Sequence, residues 1–123
     1  MSIEIKKEIG LEIAHVLFID IVGYSKLLTN EQRERLLELN RIVRETGQFR
    51  EAEAAGKLIR IPAGDGTVLA FFTSPDAPVR CAVAISRALG GTTNLPLRMG
   101  VHSGPVELVQ DVSDKPNLAE ATY

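Results

Sequence analysis

Two short apolar runs, residues 57–62 (KLIRIP) and 67–72 (TVLAFF), stand on either side of Ala63-Gly64-Asp65-Gly66. Asp-Gly between apolar runs is a strong hairpin signal, because a tight turn needs backbone conformations that glycine adopts without steric cost. An antiparallel pair in the middle of the chain limits what the flanks can be. Upstream, residues 15–22 (HVLFIDIV) are short, apolar and β-branched, which predicts a buried strand, and Gly23 breaks it. Downstream, residues 97–103 (LRMGVHS) predict another strand. Gly104-Pro105 then predicts a turn, with residues 106–109 (VELV) pairing back.

Helical patterns fill the two gaps. Thr29 to Gln32 reads T-N-E-Q, a capping-box pattern, and Leu36, Leu39 and Val43 follow at helical spacing with charges between them. Ala and Glu extend this helix through residues 48–55 to a stop at Gly56. Ser74 followed by Pro75 predicts an N-cap with proline at the first helical position, and the helix should end at Gly90-Gly91. The order β-α-β-β-α-β implies an α+β chain, a ferredoxin-like βαββαβ sandwich whose antiparallel sheet carries its helices on one face. Residues 1–13 form a lead-in, either short helix or strand, and residues 14–123 form the domain.

At 123 residues the chain fits one domain with a core of its own. A net charge of −2 gives no nucleic-acid signature. The single cysteine, Cys81, excludes an intramolecular disulfide and fits a reducing compartment. The opening MSIEIKKEIG is too charged for a signal peptide, and no apolar run reaches membrane-span length. The expectation is a cytoplasmic domain without nucleic-acid or membrane contact in this segment.

Two aspartates stand where a sheet would not ordinarily want them. Asp20 interrupts the first strand near its end, and Asp65 sits in the hairpin turn. In a βαββαβ sheet the first and third strands are neighbours, so these two sites can meet. Close carboxylates repel unless a cation lies between them, and Mg²⁺ is commonly held by one or two carboxylates plus substrate phosphates. The turn after Asp20, I-V-G-Y-S, can present successive backbone N–H groups to an anion. Taken singly, Asp65 reads first as turn chemistry, whereas Asp20 in an apolar strand is harder to explain, since burying an unpaired carboxylate is costly.

FIDIVGYSKL (18–27) resembles the first metal motif of the class III nucleotidyl (adenylate/guanylate) cyclases. KLIRIPAGDGTVLAFF (57–72) is similar to their second, and LRMGVHSGPV (97–106) to the strand pair that follows in bacterial members. The resemblance covers roughly residues 14–119. It implies that Asp20 and Asp65, with the Ile21 carbonyl, hold two Mg²⁺ or Mn²⁺ ions. It implies that backbone amides around Gly23, Tyr24 and Ser25 bind a triphosphate, and that two copies form a homodimer with the active sites between them. The implied reaction is attack of the ribose 3′-oxygen on the α-phosphorus of a nucleoside triphosphate, with pyrophosphate leaving.

The sequence departs from the family in two places. Four residues before the second metal aspartate, adenylate cyclases carry lysine and guanylate cyclases glutamate. Here that residue is Ile61, which neither donates to nor accepts from a base edge. ATP or GTP is the first expectation, and a pyrimidine nucleotide stays open. Asn117 falls near the family's second base-selecting position and reads equally as a polar loop residue. The family's Asn-x-x-x-Arg helix is also absent. Counting from Asn117, the arginine would fall at Ala121, so the chain reads as a C-terminally truncated or degenerate domain. Losing one preorganised donor to the transition state costs about 10²–10³ in rate.

Among other residues, His102 and Cys81 read as structural, Tyr24 as packed against a helix, and Arg98 as a solvated arginine at a strand end within reach of phosphate. Three functions are therefore carried forward: a weak or inactive cyclase domain, a non-catalytic regulatory relative that binds metal-nucleotide or dimerises, and a generic ligand-binding domain.

Overall fold

The computed structural model describes residues 9–90, 95–110 and 116–121. It contains five strands, β1 (Ile9–Ile21), β2 (Leu58–Ala63), β3 (Gly66–Phe71), β4 (Leu97–Gln110) and β5 (Pro116–Ala121). Its α-helices are α1 (Thr29–Glu45), α2 (Gly47–Ala54) and α3 (Ala77–Leu89). The strands form one antiparallel sheet in the order β2-β3-β1-β4-β5. This is the expected α+β, ferredoxin-like arrangement with an extra edge strand.

Strand alternation divides the sheet into two faces. Leu17, Ile19 and Ile21 of β1, with Leu69 and Phe71 of β3, pack against Leu39, Ile42 and Val43 of α1, Phe49 of α2, and Cys81 and Ile85 of α3. The intervening positions turn to the other face. There Ala14, Val16, Ala70 and Val106 are buried, with Phe18, Ile59, Val68 and Phe72 half-buried beside them. Strands β2 and β5, at opposite edges of the sheet, approach one another, so the sheet coils strongly about this second face.

The helix starts fall near their sequence signals. Thr29 is the first residue of α1 and Leu28 its N-cap; Leu28 has no side-chain acceptor, but Glu31 reaches back to take its N–H at 3.0 Å. The single helix expected from Thr29 to Gly56 is two helices. Thr46 between them is extended (φ −70°, ψ 146°); its hydroxyl donates to the Val43 carbonyl at 2.8 Å and accepts from Phe49 N–H at 3.3 Å. A threonine that satisfies both helix ends competes with continuing the helix. Gly56 does end α2: it is left-handed (φ 68°), its N–H bonds to Glu53 and that of Lys57 to Ala52, which is the Schellman pattern. The third helix starts two residues after the predicted proline. Its N-cap is Asp76, whose carboxylate takes the Ser74 hydroxyl at 2.6 Å.

The turn expected at Gly104-Pro105 does not form. β4 runs without interruption from Leu97 to Gln110, paired with β1 from Ile21 back to Ile9. The partner that keeps it straight is the stretch 9–13, which the sequence left open and which is the first part of β1. Pro105 has no N–H for a ladder, and the pairing of β4 with β5 begins at Val106, one residue beyond it. Residues 1–8 of the expected lead-in and Gly91 of the expected helix stop lie outside the described residues.

Candidate metal and anion site at the end of the central strand

The two aspartates are brought together by backbone. Asp20 lies in register with Gly66 of β3, and Ile21 N–H donates to the Asp65 carbonyl at 2.8 Å. The two-residue turn Gly64-Asp65 is thereby pinned against the end of β1. Gly66 makes this approach sterically feasible: a Cβ built there would run into the Ile19 carbonyl. The glycine of Asp65-Gly66, which the sequence assigned to turn chemistry, is thus needed for contact between the strands.

Asp20 is not a buried carboxylate. It belongs to the face of the sheet opposite the helices, at the sheet's end, and its side chain is 42% exposed. The burial cost inferred from its apolar neighbours therefore does not arise, because those neighbours alternate between faces. It also has a partner. Arg98 is directly opposite on β4, with Nε 3.8 Å from Asp20 Oδ2. That is an ion pair without a hydrogen bond.

Beyond β1 the chain makes a tight turn. Val22 N–H bonds to Pro96, Gly23 takes a left-handed conformation (φ 74°), and residues Tyr24–Lys26 form a 3₁₀ turn. Lys26 N–H returns to the Gly23 carbonyl and Leu27 N–H to that of Tyr24, both at 3.0 Å. Outside the 3₁₀ turn itself, none of the backbone hydrogen bonds that tie this loop among the described residues uses the N–H of Gly23, Tyr24 or Ser25. A left-handed residue followed by helical ones turns successive N–H groups toward one side, which is the geometry of an anion nest. Tyr24 packs against the helix-side core, as expected, and its carbonyl takes Gln32 Nε2 at 3.0 Å.

The donors present suit a hard divalent cation: two carboxylates, one half-exposed and one exposed, with the Ile21 backbone tied between them. No group of three or more His, Cys, Asp or Glu side chains able to hold a metal exists among the described residues. A cation here would therefore rest on Asp20, Asp65, backbone oxygen and its ligand's own phosphates.

The remaining candidates separate clearly. Ile61 sits on β2 opposite Val68, half-buried on the same face as Asp20. His102 is opposite Val16, four residues along β4 from Arg98 and so roughly 13 Å from the carboxylates. Cys81 is fully buried, 3.6 Å from the Thr46 hydroxyl, and burial pushes its thiol upward. Both fit their structural reading. Asn117 lies in β5 opposite Val109, and its side chain is outside the described residues. The pairing of Arg98 with Asp20 escaped the sequence, because seeing it requires the register between two strands whose paired residues are 78 apart in sequence.

No protein-family model and no curated protein matches the chain. Solved structures do. One is a bacterial light-regulated adenylyl cyclase, with a TM-score of 0.63 at 21% identity. The match covers 89% of this chain and 63% of that one, so the present chain spans less than two thirds of its neighbour. The likeness establishes a shared fold. No helix among the described residues is long and apolar enough to cross a membrane.

Proposed function

We propose that this chain is a class III nucleotidyl cyclase domain, which converts a nucleoside triphosphate to a 3′,5′-cyclic nucleotide and pyrophosphate. The observation that carries the reading is the hydrogen bond from Ile21 N–H to Asp65 O at 2.8 Å. It draws the second aspartate to the end of the strand bearing the first, next to the turn that begins at the left-handed Gly23. The fold shared with an adenylyl cyclase supports it.

In this reading Asp20, Asp65 and the Ile21 carbonyl hold Mg²⁺ or Mn²⁺. Bound there, two ions would activate the attacking oxygen and stabilise the leaving group. The N–H groups of Gly23, Tyr24 and Ser25 bind the triphosphate and orient its α-phosphorus. The ribose 3′-oxygen forms a bond to that phosphorus as its proton leaves, and the α–β phosphoanhydride bond breaks to release pyrophosphate. ATP and GTP are the first substrates to examine. Ile61 offers the base no hydrogen bond, so CTP and UTP belong in the same experiment. A second copy of the chain completes the site.

A non-catalytic, metal-nucleotide-binding regulatory domain is the alternative, favoured by Ile61 at a base-selecting position. The two readings part in one assay. The purified chain is incubated with Mn²⁺ and each of the four triphosphates, and cyclic product is separated by chromatography. The cyclase reading expects slow formation of one product, lost in Asp20→Ala. Product that persists in Asp20→Ala overturns the mechanism. Mn²⁺-dependent nucleotide binding without product supports the alternative.

A further inference from the structure

We infer that Arg98 is the resident counter-ion of Asp20, a positioning residue that occupies the carboxylate until a divalent cation displaces it. The inference rests on the proposed metal site and goes beyond it. Across the sheet, the residues directly beside Asp20 are Gly66 on β3 and Arg98 on β4. Two positions farther along the same face stand Phe18 on β1, Val68 on β3 and Gly100 on β4. Two glycines and two apolar side chains leave Arg98 as the cross-strand group that can answer the Asp20 charge. It does so loosely. The 3.8 Å separation is too long for a hydrogen bond, and the side chains are 72% and 42% exposed. Exposed pairs of this kind contribute little, so the pair orients the carboxylate yet yields to a metal. Lacking a fork-on-fork contact, the guanidinium has little to lose in turning away.

The consequence is competition. Arg98 and a divalent cation want the same oxygen atoms, so removing Arg98 should tighten metal binding in the absence of nucleotide. The scale is set by an exposed ion pair, about two- to fivefold. Mn²⁺ is titrated calorimetrically into the wild-type chain, Arg98→Gln, Arg98→Lys, Asp20→Asn, and the Arg98→Gln/Asp20→Asn double variant. Arg98→Gln should bind Mn²⁺ about two- to fivefold more tightly. Arg98→Lys, which keeps the charge, should bind as the wild type does. In the Asp20→Asn background, removing Arg98 should change nothing. Equal or weaker binding by Arg98→Gln overturns the inference while leaving the metal site standing. So does an equal gain in the Asp20→Asn background, which would make Arg98 a diffuse field and not a partner. Wild-type protein that binds no Mn²⁺, or binds it as Asp20→Asn does, overturns the metal site and this inference together.

Discussion

Gly66 carries the heaviest steric constraint at the site. Its Cα lies so close to β1 that any Cβ would strike the Ile19 carbonyl. Gly66→Ala must push the hairpin away from β1 and weaken the Ile21–Asp65 hydrogen bond. We expect a loss of about 2–4 kcal/mol, among the larger single-residue effects, measured by urea unfolding. Gly64, which has open space around it, should tolerate alanine with far less cost. Cys81 gives a pH prediction. Burial raises its thiol, and the Thr46 hydroxyl only partly offsets that. The native state therefore keeps the proton after the unfolded chain has lost it. Stability should be unaffected at neutral pH and should fall as pH rises through the ordinary thiol range, about 8.5 and above. Cys81→Ala should flatten that decline, read from unfolding midpoints across pH 7–10. Both carboxylates and the left-handed glycine of the nest were legible in the sequence, because charge in an apolar run and glycine after a strand are local signals. The Asp20–Arg98 pair was not, because it depends on register.

At the level of elements, the boundary at Thr46 is the most instructive. Helix periodicity runs through it, since Leu39, Val43, Phe49 and Ala52 all face the core. The break comes from one hydroxyl that serves the end of α1 and the start of α2. Thr46→Ala should cost about 1–2 kcal/mol, as capping losses do, while Thr46→Ser should retain most of the stability in the same unfolding assay. Strand β4 shows the opposite error. Gly104-Pro105 is a strong local turn signal, yet a long partner strand overrides it. Local chemistry located the hairpin, the Gly56 stop and both helix-rich segments. It failed where a residue's role is set by a neighbour far away in sequence: β1 for Pro105, and two helices meeting at Thr46.

At the scale of the whole molecule, one core joins all three helices to β1 and β3. Phe71, fully buried between them, should lose about 3–5 kcal/mol on change to alanine. Helix and tertiary signals should then melt together, as expected of a small single domain. The opposite face is buried at its centre, but Asp20 and Arg98 at its end are 42% and 72% exposed, so the proposed chemistry sits where a ligand can reach it. The most direct measurement is paramagnetic broadening of backbone amides by Mn²⁺, with a triphosphate analogue that does not cyclise. We expect it to centre on Ile21, Gly23, Tyr24, Ser25, Asp65 and Gly66, and to vanish in Asp20→Asn. Broadening centred on the glutamates of α1, or spread evenly over the surface, would contradict a metal-nucleotide site at the end of β1.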